Sequence, residues 1–352
     1  LFFVPTYGCN FACPYCYQDG YGHENMMADT EIVDAFFAYV DSAFADRQKY
    51  ITVFGGEPLL PGEKTRKIIS SLIEGANSRK LGLAFVTNGF TLEEYVPLLK
   101  RGIIREVQVT LDGVGEIHDS RRPRRGGQPS FDRIVTGIDA ALAEGIPINL
   151  RTVVDRENFD GLIDLARFAI DRGWTKNPLF KTQLGRNYEL HYCQAEQSKL
   201  YDRLSLYEDI YKLAVENPEF LEYHRPAFSI SRFLFENGEL PDPLFDSCPG
   251  TKTEWAFDYT GHIYSCTATV GKPEEALGTY YPEVHLETDK VDEWDERDVT
   301  AIPKCRNCEL QLACGGGCAS VAKNLSGTVL SPDCRPVKEL LELGLSLYGQ
   351  DE

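Results

Sequence analysis

Three cysteines stand within eight residues, in the run Cys9-Asn10-Phe11-Ala12-Cys13-Pro14-Tyr15-Cys16. A cubane iron–sulfur cluster takes four thiolates when its shell is complete. This loop supplies three, and no fourth cysteine lies nearby. One iron would then stay open to a small ligand. The same thiols could instead begin a zinc knuckle whose fourth ligand is distant. A second cysteine set closes the chain: Cys248-x12-Gly261-x4-Cys266, then Cys305-x2-Cys308-x5-Cys314-x3-Cys318, then Cys334. A C-x2-C pair with two further cysteines beside it also fits zinc. Of eleven cysteines, only Cys193 falls outside both sets. A lone cysteine is more often a small buried hydrophobe than a ligand.

These groups need a scaffold. Six short apolar runs read as buried strands: Leu1–Thr6, Ile51–Phe54, Leu83–Thr87, Glu106–Leu111, Ile148–Val154 and Leu179–Leu184. Helical stretches are expected between them, near residues 30–46, 62–79, 91–101, 131–144 and 158–172. Such alternation implies parallel strands joined by crossovers, an α/β architecture. Functional groups in these sheets gather at the carboxyl ends of the strands. The first cysteine run follows strand one, Gly55-Gly56-Glu57-Pro58 follows strand two, and Asn88-Gly89 follows strand three. Residues 196–236 read as helical, with Leu200, Leu204, Tyr207, Ile210 and Tyr211 at helical spacing and packing as their expected role. Asn237-Gly238 and prolines 241 and 243 mark a linker. Beyond it the chain shows little periodicity until a closing helix near 336–347.

The chain has 352 residues, 43% of them hydrophobic, a net charge of −18 and a pI near 4.8. No basic stripe is present, which argues against a nucleic-acid partner. No apolar run approaches the roughly 18 residues of a membrane span, and no secretory signal pattern opens the chain. Clustered cysteines without that signal favour metal sites over disulfides and a cytoplasmic setting. Leu1, not Met, enters a strand-like run directly, so a trimmed natural N-terminus is expected.

The run C-x3-C-x2-C after a first strand resembles the signature of the radical SAM superfamily. That resemblance implies a partial (β/α)6 barrel and a [4Fe–4S] cluster on Cys9, Cys13 and Cys16. Its open iron would be chelated by S-adenosylmethionine (SAM), which an electron from the cluster cleaves to methionine and a 5′-deoxyadenosyl radical. The cofactor carries this chemistry and the protein positions it. Other positions fit. Gly55-Gly56-Glu57-Pro58 is similar to the motif that meets the SAM amino group, with Glu57 either anchoring the loop or assisting there. Tyr15 matches an aromatic position beside the adenine. Thr110-Leu111-Asp112-Gly113 resembles a stretch whose hydroxyl meets the SAM carboxylate. His118-Asp119-x-x-Arg122 resembles one whose arginine contacts the same carboxylate. Asn88 is expected near the ribose. Arg121, Arg124 and Arg125 are expected on a solvated basic loop.

The seven C-terminal cysteines resemble the SPASM extension of these enzymes. By that resemblance Cys248, Cys266 and Cys318 hold one auxiliary [4Fe–4S] cluster, and Cys305, Cys308, Cys314 and Cys334 a second. The chain would then carry three clusters, with a barrel at 1–190, a helical linker at 191–240 and the extension at 241–352. Two auxiliary clusters need eight ligands and only seven cysteines are present, so the first is expected to be completed by water, a noncysteine side chain, a substrate thiolate or Cys193. The leading expectation is a maturase of ribosomally made peptides that forms thioether or carbon–carbon crosslinks, served by a flavodoxin or ferredoxin. The alternative is an anaerobic sulfatase-maturating enzyme. Thr267 counts against that alternative, because it stands where that family places a catalytic aspartate. A third is a zinc- or cluster-binding interaction protein without chemistry. Asp258, His191 and Tyr259 are further groups that could reach a site.

Overall fold

The computed structural model describes residues 1–18, 26–187 and 197–349. Cys193 and His191 lie outside the described residues. The first half alternates as expected. Strands β1 (Phe2–Val4), β2 (Ile51–Val53), β3 (Leu83–Thr87), β4 (Ile104–Thr110), β5 (Ile148–Val154) and β6 (Phe180–Arg186) run parallel in that order. Between them lie α1 (Thr30–Ala43), α2 (Glu63–Ser78), α3 (Leu92–Leu99), α4 (Glu116–Arg121), α5 (Phe131–Ala143) and α6 (Leu162–Asp171). Helix α4 was not expected: its six residues are too few to display a period.

Side chains alternate across each strand. Phe3, Ile51, Val53, Phe85, Val107, Val109, Ile148 and Leu150 point to one face and are wholly buried. The helices cover that face. Helix α1 begins where Asp29 accepts a hydrogen bond from the Ile32 N–H (3.0 Å), and it buries Ile32, Val33, Phe36, Phe37 and Val40. Each such side chain contributes roughly 1.5–3 kcal/mol. The opposite face is more polar. Register places Thr52 beside Ala84, Gln108 beside Asn149 and Asn149 beside Lys181, and these residues line a cavity of about 470 Å³.

The sheet does not end at β1. Strand β7 (Ala256–Asp258) pairs parallel with β1, and β8 (His262–Tyr264), β9 (Gly278–Thr279) and β10 (His285–Leu286) continue antiparallel, giving ten strands. Asp258 ties this extension to the front of the chain. One of its oxygens accepts from the hydroxyls of Tyr7 (2.7 Å) and Tyr264 (3.2 Å), and the other from the Thr260 N–H (3.0 Å). Its acceptors are therefore occupied structurally.

Residues 203–237 form α7 (Arg203–Glu216), α8 (Phe220–Tyr223) and α9 (Ser231–Asn237). Breaks fall before Pro218 and at Pro226, whose rings exclude continuous helix. Then follow α10 (Thr288–Asp295), α11 (Gln311–Cys314), α12 (Ala319–Ser326) and α13 (Val337–Tyr348). Helix α13 packs against α7 and α9, with Gly344 close to Ser231 and Phe228. Among the described residues, no helix is long and apolar enough to cross a membrane.

His224, after α8, sits 3.0 Å from the Thr182 hydroxyl on β6. Burial, reinforced by Arg232, lowers its pKa from 6.5 to about 4. The unfolded chain takes a proton near pH 6.5, and the folded chain only near pH 4. Stability is therefore complete above pH 6.5 and falls as pH drops toward 4, by at most about 3 kcal/mol from this group. Urea unfolding of the His224→Gln variant should show a shallower loss between those pH values. An unchanged slope would refute this role.

Candidate functional site

The carboxyl ends of β1, β2, β3 and β4 carry the loops singled out in the sequence, and the structure brings them together. A cavity of about 480 Å³ is lined by Cys9, Cys13, Tyr15, Cys16, Gly55, Gly56, Asn88, Thr110 and Arg122. The loops touch through their backbones. Gly56 N–H donates to Thr6 O (3.0 Å) and Glu57 N–H to Gly8 O (2.8 Å). A Cβ on Gly56 would lie 2.2 Å from Gly8 O and 2.4 Å from Tyr7 O. Only glycine permits that approach, because the obstacle is backbone.

Glu57 does not face the cavity. It lies behind, fully buried, with one oxygen accepting from Leu59 N–H (2.8 Å) and the Thr87 hydroxyl (2.7 Å), the other from Asn88 N–H (2.6 Å). These bonds serve loop anchoring, one of its two expected roles. Asn88 in turn donates to Asn10 Oδ1 (2.7 Å), inside the cysteine loop.

Tyr15 is held from two sides. Its hydroxyl donates to Asp112 Oδ2 (2.5 Å) and accepts from Arg122 Nη1 (2.5 Å). Asp112 is fully buried, and its other oxygen accepts from Val153 N–H (2.9 Å). The neighbouring motif divides its work. Asp119 accepts from Ser130 N–H (2.7 Å) and Phe131 N–H (3.0 Å), satisfying free donors at the start of α5. His118 accepts from Asp112 N–H (3.3 Å), and its burial holds the ring neutral. Arg122 faces the cavity. Arg121, expected on a solvated loop, is buried and pairs with Asp155 through two bonds of 2.8 Å. Arg124 stacks over Phe90 and Arg125 donates to Cys9 O.

Burial, then the Glu57 charge, pushes the Cys9 thiol up to about 12, and burial raises Cys13 against the pull of Arg122. These groups are therefore thiols until a metal takes the place of their protons. The C-terminal cysteines fall into two neighbourhoods. Cys266, pushed up to about 12 by burial and then by Glu254, also feels Cys248 and Cys318. Cys305, raised first by burial, feels Cys314, Cys334 and Cys308. Among the described residues no three His, Cys, Asp or Glu side chains converge tightly enough for a single ion. The N-terminal thiols instead share the wall of one chamber, with polar groups opposite, and this donor set fits an iron–sulfur cluster with a bound amino acid-like ligand.

The cavity also contains groups that sequence reasoning passed over, Tyr17, Arg151, Arg186 and Glu254; Thr267, already singled out, lines it too, with Ala268 beside it. Arg151 was detectable as the one cation within β5, a strand with four apolar residues of seven. Glu254 carried no local signal.

Residues 3–169 match the family model of the radical SAM superfamily. The GTP 3′,8-cyclase of Campylobacter jejuni subsp. jejuni serotype O:6 is 32% identical over 172 residues, 47% of this chain and 50% of that protein. The chain thus spans about half the length of the curated cyclases it matches. The serine-type anaerobic sulfatase-maturating enzyme of Bacteroides thetaiotaomicron is 25% identical over 350 residues, 88% of this chain and 80% of that protein. The solved structure of native anSMEcpe with bound AdoMet and Cp18Cys peptide superposes with a TM-score of 0.72 at 17% identity, over 100% of this chain and 98% of that one. This last likeness shows a shared fold.

Proposed function

The chain carries a radical SAM domain over residues 3–169, and on that premise we propose that it is a maturase that oxidises a hydroxyl- or thiol-bearing side chain of a protein or peptide to an aldehyde. The sequence motifs favoured a crosslinking peptide maturase. Similarity along most of the chain to a sulfatase-maturating enzyme, with the shared fold of a peptide-bound relative, supports the alternative better. The carrying observation is one chamber that reaches from the N-terminal thiols to Thr267 beside Cys266. A side chain entering it would stand between the two cysteine sets.

When bound, a reduced cluster and SAM supply a carbon radical that removes one hydrogen atom from the substrate. We assign Cys9, Cys13 and Cys16 to the cluster and the C-terminal cysteines to two more. This chain's residues do the positioning. Arg122, fixed by Tyr15, and Arg151 and Arg186 present positive charge to a carboxylate. Gly55 and Gly56 let the loop backbone approach the bound amino acid. Oxidation of an alcohol to an aldehyde, or of a thiol to a thioaldehyde that water then converts to the aldehyde with release of hydrogen sulfide, removes two electrons and two protons overall, so after one hydrogen atom leaves, one proton and one electron remain to be accepted.

Thr267 is a weak base for that proton, and this observation keeps crosslinking as the second reading. Anaerobic incubation with SAM, dithionite and a sulfatase-type peptide should yield an aldehyde that a hydrazine probe captures. A product lacking two hydrogens that no hydrazine captures would reverse the order. No 5′-deoxyadenosine at all would end both.

A further inference from the structure

Seven cysteines cannot fill eight positions. The first C-terminal neighbourhood has three: Cys248, Cys266 and Cys318. Two acids stand near it, Glu254 and Asp246. Glu254 lies on a tight loop after Cys248, where Glu254 N–H donates to Pro249 O (2.9 Å) and Glu254 O accepts from Thr251 N–H (2.9 Å). Its Oε1 accepts from the N–H of Thr267, the residue directly after Cys266 (3.1 Å). That bond clamps the carboxylate to the cysteine's own turn. Its side chain reaches the wall of the central chamber, together with Thr267 and Ala268. The charge of Glu254 acts on Cys266, as do the partner thiols Cys248 and Cys318. By contrast Asp246, the other acid near Cys248, is occupied by Cys248 N–H (2.9 Å), Arg297 (2.6 Å) and Lys252 (2.9 Å). No hydrogen bond to Glu254 Oε2 occurs among the described residues.

We propose that the Glu254 carboxylate is the eighth protein ligand of the two C-terminal clusters, completing the shell begun by Cys248, Cys266 and Cys318. This rests on the cluster assignment made under the proposed function. A carboxylate carries the same charge as a thiolate but binds iron through a harder, less covalent oxygen. The cluster would stay fully held by protein, so a substrate thiol would not need to coordinate it. Because potentials follow ligand type and charge, the oxygen ligand would also set this cluster apart from its all-cysteine neighbour.

The test uses the whole chain, reconstituted anaerobically, with iron and sulfide analysis and EPR of the reduced clusters. The parent should hold about twelve irons. Glu254→Ala should either lose about a third of them or shift one EPR signal while the other two persist. Glu254→Cys should keep all the iron, with the shifted signal moved toward that of an all-thiolate cluster and stronger sulfur-to-iron absorption. A parent with only about four irons would overturn the cluster assignment itself. A parent with about twelve, whose iron content and signals survive both substitutions, would overturn ligation by Glu254 alone. Should product formation then also fail, Glu254 would belong to proton transfer instead. A signal that moves only on replacing Cys193, or only on adding substrate, would likewise overturn it.

Discussion

Replacing Cys13 by alanine should abolish 5′-deoxyadenosine formation, down to the level of a reaction without protein. Cys9, Cys13 and Cys16 lie on one loop, held by backbone bonds to the turn after β2 and by Asn88 from the turn after β3. Three thiolates are one fewer than a full shell. Loss of one leaves two, and among the described residues no other cysteine lines the chamber wall to take its place. The iron content should fall by about a third, because the C-terminal cysteines form separate neighbourhoods. Cys308→Ala is the matched control. Cys308 is exposed and does not line the chamber, so this variant should lose a similar share of iron yet still cleave SAM. Equal SAM cleavage by the two variants would refute the division of labour.

The same contrast explains what the sequence could reveal. The six parallel strands were legible because each is a short apolar run bounded by turn residues, and every one of the five expected crossover helices is present. Ligand-bearing loops were legible because cysteine spacing is local. What escaped notice depends on partners far away in the chain. Strands β7 to β10 have only two or three residues each, too few for a period, and β7 exists as a strand because β1 pairs with it some 250 residues earlier. Arg121 read as one of several loop cations, but Asp155 draws it into the interior. Glu254 looked like one acid among many in an acidic chain until the fold set it beside Cys266.

Glu57 extends this point to energetics, and Glu57→Ala should destabilise the chain by about 3–5 kcal/mol. Composition alone would class an acidic side chain as exposed, yet this one is fully buried. Three donors from two loops converge on it: Leu59 N–H, Thr87 O–H and Asn88 N–H. Removing the carboxylate strands two backbone donors and a hydroxyl away from water, each costing about 1–3 kcal/mol before relaxation. Glutamine is an informative second variant. Its amide keeps one acceptor and turns the other into a donor, which must face either Asn88 N–H or the pair from Leu59 and Thr87. It should therefore recover only part of the loss. The damage should also spread to the site, because Asn88 passes the constraint on to Asn10 within the cysteine loop. Urea unfolding, paired with calorimetric titration of SAM into the reconstituted chain, separates the two effects. A Glu57→Gln variant as stable as the parent would show that the three donors find other partners. Parent-like SAM affinity at reduced stability would show that the loop network stops short of the cavity.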